Sequence, residues 1–204
     1  LSAYFLASGD EQALELAFEL FDTVEEKCTD DIAYMEAFSS DWKLIPNDAL
    51  SENGLMADKT MNTVLHLIEA YTVLYDASGD ENVQERLEFL LEITKKKIFD
   101  GENNKLLVFF DRELNVIGDI HSYGHDIEAS WLLDRAVQTI GDKFYEAEWR
   151  FIDLRIAENI YEIAFENGAV NNERDKDKID KKRVWNKLLA EARERQNGSS
   201  SNAG

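Results

Sequence analysis

A repeated stretch of helix punctuation constrains this chain most. Ala3-Tyr4-Phe5-Leu6-Ala7-Ser8-Gly9-Asp10-Glu11 returns as Ala70-Tyr71-Thr72-Val73-Leu74-Tyr75-Asp76-Ala77-Ser78-Gly79-Asp80-Glu81, and more weakly as Arg135-Ala136-Val137-Gln138-Thr139-Ile140-Gly141-Asp142. In each copy an apolar helix runs into a glycine, the residue that most easily takes the left-handed turn ending a helix. The aspartate after it has the short side chain that caps a new helix. The glycines are 70 and 62 residues apart. The unit is therefore a helix pair with a long connection, repeated along the chain.

The two helices of each pair differ. Residues 60–75 and 126–137 are apolar nearly all round, which predicts burial on more than one side. Their partners are amphipathic: across 81–98, Val83, Leu87, Leu90, Leu91, Thr94 and Ile98 form a stripe opposed by Glu85, Arg86, Glu92 and Lys96. Residues 11–27 and 143–166 follow the same pattern. Buried inner helices alternating with half-exposed outer ones predict an all-α fold, an α/α toroid of hairpins; a bundle or a superhelical solenoid shares much of the pattern. Between the pairs, 105–110 and 115–118 flank a polar turn and predict a small β-hairpin. Residues 33–56, with Trp42, Pro46 and Gly54, predict an irregular connection. One domain is expected over 1–196, its last helix running from Trp185 to Gln196, with 197–204 a flexible tail.

Charge narrows the partners. Forty-two acidic residues against 22 basic ones give a formal charge of −20, a surface that repels nucleic acid and anionic membrane. The basic clusters Lys95-Lys96-Lys97 and Lys181-Lys182-Arg183 sit beside acidic residues and read as solvated helix ends. No apolar run has membrane-spanning length and no basic leader opens the chain, so a cytoplasmic protein is expected. A neutral small molecule or another protein is the expected partner. Cys28 is the single cysteine, so neither an internal disulfide nor a thiolate metal site is available.

Chemistry concentrates on the apolar helices. Asn62 and His66 are four residues apart and share a helical face; His125 and Glu128 are three apart and share another. A histidine on such a helix is more often a core residue than a catalyst, and a buried Glu128 needs a partner. Two polar pairs on separate inner helices nevertheless point to a common cavity. A metal reading lacks a His-Glu-x-x-His or Glu-x-x-His pair, so none is expected. Nucleophilic catalysis lacks a Gly-x-Ser-x-Gly elbow, and no glycine-rich loop is present to cradle phosphate.

Ser122-Tyr123-Gly124-His125-Asp126-Ile127-Glu128-Ala129-Ser130-Trp131-Leu132-Leu133 resembles the motif of cellobiose 2-epimerases, within the wider N-acylglucosamine 2-epimerase superfamily. Met61-Asn62-Thr63-Val64-Leu65-His66-Leu67-Ile68-Glu69-Ala70-Tyr71 is similar to a second family motif. Tyr34-Met35-Glu36 with Asp41-Trp42 resembles a third, and Asn172-Glu173-Arg174-Asp175 through Arg183-Val184-Trp185 a fourth. The resemblance implies an (α/α)6 barrel and a cofactor-free reaction at the reducing end of a mono- or disaccharide. A histidine removes the C2 proton of the opened sugar, an enediol(ate) forms, and a second histidine returns the proton to the opposite face. Imidazole suits this role because its pKa lies near neutrality. Carried over, His125 matches one catalytic histidine, and Asn62, His66 and Glu128 match residues lining the sugar site. Trp131 is expected in the core rather than stacked on sugar.

Against the family pattern, the chain supplies roughly three and a half of six hairpins. The segments bearing the catalytic arginine and the second histidine are expected outside it, and Asn186-Lys187-Leu188-Leu189 departs from the family after Trp185. Impaired turnover is expected for such a half-site. Two alternatives stand beside it: an inert fragment that self-associates through exposed barrel seams, and an aldose–ketose isomerase of the mannose type.

Overall fold

In the computed structural model, residues 1–47 and 55–181 are described. The expected helix Trp185–Gln196, the tail 197–204, Gly54 and the end of the fourth motif lie outside the described residues. The repeat marks three helical hairpins: α1 (Ser2–Ser8) with α2 (Glu11–Lys27), α3 (Met61–Ser78) with α4 (Glu81–Ile93), and α5 (Tyr123–Ile140) with α6 (Lys143–Ala164). The first helix of each pair ends on a left-handed glycine, Gly9 at φ 72°, Gly79 at φ 64° and Gly141 at φ 81°. Asp10, Asp80 and Asp142 then cap the second, each accepting from backbone N–H groups of the first turn.

α3 packs against both α1 and α5, forming an inner layer, while α4 and α6 back onto α3 and α5. The core runs through this double layer. Val83, Leu87, Leu90, Leu91, Thr94 and Ile98, the stripe read from the sequence, are all buried. The last two belong to a π-helical turn, Thr94–Ile98, that carries the chain off α4 into β2 (Phe99–Asp100). Large apolar side chains remain exposed at both edges of the stack: Tyr4, Leu16 and Leu20 on α1 and α2, and Phe144, Phe151, Leu154 and Tyr161 on α6. Among the described residues, no helix is long and apolar enough to cross a membrane.

The connections correct two expectations. The hairpin predicted from 105–110 and 115–118 forms at its turn, where Phe110 bridges Val116, the Asp111 amide bonds the Asn115 carbonyl at 3.0 Å and the Ile117 amide bonds the Phe109 carbonyl at 2.8 Å; the correction lies in the further pairing of its first arm. Its strand residues also pair elsewhere. β3 (Lys105–Leu106) turns back onto β2, and β4 (Phe109–Phe110) pairs with β1 (Lys59–Thr60), fifty residues upstream. The second correction is Trp131. It is 51% exposed, because α3 and α6 bury Leu132, Leu133, Ala136 and Val137 and leave its side of α5 open.

Further short strands close the ends of the helices. β5 (Ile120–Ser122) pairs antiparallel with β8 (Glu173–Asp175), which pairs with β9 (Lys178–Asp180); β6 (Phe165–Glu166) and β7 (Ala169–Val170) form a tight ribbon after α6. The β5–β8–β9 sheet grips the entrance to α5, where the candidate site lies.

Candidate functional site

Two anchored helix starts place the candidate residues. At the start of α3, Thr60 accepts a 3.2 Å bond from the Thr63 amide. The Glu36 carboxylate accepts from the hydroxyls of Thr60 and Thr63 and, at 3.0 Å, from the Asn47 amide. Burial pushes the Glu36 carboxyl above the usual carboxylate range, and these three donors oppose the shift. Glu36, read from the sequence only as part of a motif, therefore pins the turn that presents Asn62. One turn further on, His66 is exposed, with Nδ1 3.3 Å from Glu69.

At the start of α5 the support is denser. The His121 ring nitrogen Nε2 lies 2.7 Å from Asp126 Oδ2, and both residues are buried. Asp126 also accepts from the Leu106 amide at 3.2 Å. Burial pushes its carboxyl up, against the pull of the His121 contact. Asp126 directly follows His125, so this buried cluster sets where α5 begins and where the His125 side chain projects. Lysine burial supports the other side: Lys59, 1% exposed, is held by Asp30 at 2.6 Å and by the Arg112 carbonyl at 2.8 Å.

His125 is half-buried, and its Nδ1 lies 2.7 Å from the Ser122 hydroxyl. Its pKa falls below the ordinary histidine range, first through burial; the neighbouring His66 adds to the fall, and the Glu128 and Asp126 carboxylates oppose it. Loss of solvation penalises the charged ring, so a neutral imidazole is favoured. α5 carries His125 and Glu128 one turn apart, and α3, which packs against α5, carries Asn62 and His66. Asn62, one turn before His66, shares its helix face. The anticipated enclosure is different: His66 borders a cavity of about 500 Å³ between α1, α2 and α3, lined by Leu20, Phe21, Tyr71 and Leu74. That cavity is lined by neither His125 nor Glu128. Reading the sequence assigned Ser122 no role; its signal was a hydroxyl residue three positions before a histidine at a helix start.

Cys28, at the end of α2, has its thiol pushed up by burial and by the Glu25 charge, which disfavours a nucleophilic thiolate. His125 is thus an imidazole whose burial favours the neutral form, with one nitrogen engaged by Ser122 and Glu128 one turn along the same helix. Such an arrangement suits moving one proton on and off carbon.

The chain is similar to known proteins over most of its length. The family model described as N-acylglucosamine 2-epimerase matches residues 1–188. A cellobiose 2-epimerase of Ruminococcus albus is 55% identical over 91% of this chain and 48% of its own length, and one of Dictyoglomus turgidum is 42% identical over the same shares. The crystal structure of a sugar epimerase from a ruminal bacterium superposes with a TM-score of 0.88 at 54% identity, covering 90% of this chain and 47% of that one. A D-mannose isomerase shares the fold, with a TM-score of 0.63 at 10% identity. The chain spans about half the length of the curated relatives it matches. Sequence and fold agree: this chain belongs to the N-acylglucosamine 2-epimerase family.

Proposed function

We propose that this chain supplies one face of a sugar 2-epimerase site, with His125 as the group that exchanges the C2 proton of a reducing-end mono- or disaccharide. The observation that carries the reading is the state of His125: burial favours its neutral form, and Ser122 engages Nδ1, leaving Nε2 to meet substrate. In the opened sugar the carbonyl acidifies the C2 hydrogen. Nε2 takes that proton while the electron pair shifts toward the carbonyl oxygen, giving an enediolate. On this reading Glu128, one turn along α5, stabilises the imidazolium so formed, and Asn62 and His66, on the neighbouring α3, hold sugar hydroxyls and the developing oxyanion. Return of the proton to the opposite face requires a second donor, which the family resemblance assigns to a histidine beyond the matched motifs. On this reading the chain exchanges the C2 proton more readily than it accumulates the epimer.

The test is C2 proton exchange in deuterated buffer, followed by NMR with cellobiose, glucose, mannose and N-acetylglucosamine. Exchange that disappears in His125→Ala supports the reading. Exchange unaffected by that change, or none with any of the four sugars, overturns it.

A further inference from the structure

The start of α5 departs from the other helix starts that carry a residue able to cap. Asp10, Thr60, Asp80 and Asp142 each cap their helix with a side-chain hydrogen bond to a backbone amide. Ser122 occupies the same position on α5, and its residue type is well suited to capping, yet its hydroxyl makes no cap bond. It is turned instead to His125 Nδ1, at 2.7 Å. Forgoing a cap gives up helix stability. A local rule broken at one helix of the set is where function is to be sought.

The hydroxyl is held in place by its backbone. Ser122 pairs with Glu173 across the β5–β8 ladder, and the next amide, of Tyr123, bonds the Asn172 carbonyl at 3.2 Å. On either side, His121 and Asp126 are locked to each other. Ser122 is itself only 9% exposed. It is therefore a rigid, uncharged hydrogen-bond partner for one ring nitrogen.

We propose that Ser122 is a positioning residue that accepts from His125 Nδ1–H rather than donating to a bare Nδ1, and so holds the tautomer in which Nε2 is the proton-accepting atom; this rests on His125 being the proton-transfer group. With Nδ1–H donating to Ser122 Oγ, Nε2 carries a free lone pair. When Nε2 gains the C2 proton, the Nδ1–H bond to the serine persists unchanged, so neither ring nor serine reorients during the transfer.

The test uses the 204-residue chain with ¹⁵N-labelled histidine, its His125 signals identified by their loss in His125→Ala. Long-range proton–nitrogen correlations above the ring's pKa report the tautomer directly. The wild type is expected as Nδ1–H, Ser122→Ala as a mixture enriched in Nε2–H, and Ser122→Thr as the wild type. C2 proton exchange should fall about 10- to 100-fold in Ser122→Ala, as for other residues orienting an imidazole from behind. Substitution by threonine should restore it, and the melting temperature of the alanine variant should stay close to wild type because no cap is lost. A wild-type His125 already in the Nε2–H form, or a tautomer unmoved by Ser122→Ala, overturns the proposal. Failure of the functional reading looks different: exchange then survives His125→Ala, whatever the tautomer.

Discussion

The Glu25 carboxylate accepts a 2.6 Å hydrogen bond from the Tyr71 hydroxyl, tying α2 to the inner helix α3. Tyr34 donates to the same oxygen at 2.7 Å, and Arg86 on α4 forms a 2.6 Å ion pair with the other while its guanidinium lies over the Phe89 ring. Both phenols are held above the usual tyrosine range, by burial first and then by bonding to the carboxylate. One acidic side chain thus joins three helices and the irregular segment after α2. Tyr71→Phe removes one of several bonds and is expected to cost about 1 kcal/mol. Glu25→Ala takes the carboxylate from Arg86 and both phenols at once, leaving the 2.8 Å Arg86–Tyr34 bond of the cluster, and should cost about 3 kcal/mol. Urea unfolding of the two variants checks the order; equal costs would contradict it.

Asp153 on α6 predicts a pH-dependent weakness. It is 5% exposed, and among the described residues neither carboxylate oxygen has a hydrogen-bond partner. Burial, with a further push from Asp134, raises its pKa to about 8. An acid whose folded pKa is raised stabilises the fold fully below its unfolded pKa, near 3.9, and that stability drains away as pH climbs to about 8. The slope approaches about 1.4 kcal/mol per pH unit across that window. Asp153→Asn should flatten the dependence, so its advantage over wild type should grow from pH 5 to pH 8 in thermal melts.

Proton exchange at C2 should show the opposite sense through His125. Its pKa is lowered, so the base form survives into solutions more acidic than the ordinary histidine value of about 6.5. The acid limb of the exchange profile is therefore expected below that value. Glu128→Gln removes a charge that opposes the shift and should move the limb further down. A limb at or above 6.5 would refute the assignment.

Trp131 separates two structural readings. A core tryptophan cut to alanine costs about 3–5 kcal/mol, whereas an exposed one changes stability by about half a kcal/mol or less. With the ring 51% exposed, the smaller effect is expected from chemical denaturation of Trp131→Ala.

The two apolar edges predict self-association through a second copy of the chain. Phe144, Phe151, Leu154 and Tyr161 leave a stripe of α6 uncovered, and Leu16 and Leu20 do so on α2. Sedimentation velocity should show mass rising with concentration, and Phe151→Asp with Leu154→Asp should shift the chain toward monomer. A concentration-independent monomer in the wild type would exclude it.

Much of this architecture was legible because its signals are local. A glycine that tolerates a positive φ followed by a capping aspartate needs only its neighbours, so Gly9-Asp10, Gly79-Asp80 and Gly141-Asp142 mark helix ends wherever they occur. The stripe from Val83 to Ile98 was likewise readable, since burial follows its spacing. The Ser122–Leu133 motif carried the family resemblance for the same reason, as a contiguous run of residues.

What depended on distant chain was not readable. Phe110 pairs with Lys59, and Leu106 with Phe99, because two-residue strands carry too little pattern to choose a partner. Trp131 looks apolar enough for a core, and only the placing of α3 and α6 around α5 decides that its side stays open. By itself the sequence determined the helices, their caps and the histidines they carry, because those depend on hydrogen bonds and spacing within a few residues. Tertiary structure alone decided that α3 packs against α5 and how deeply His125 is desolvated. Charge interaction and burial depend on which helices pack together, and spacing along one helix does not specify that.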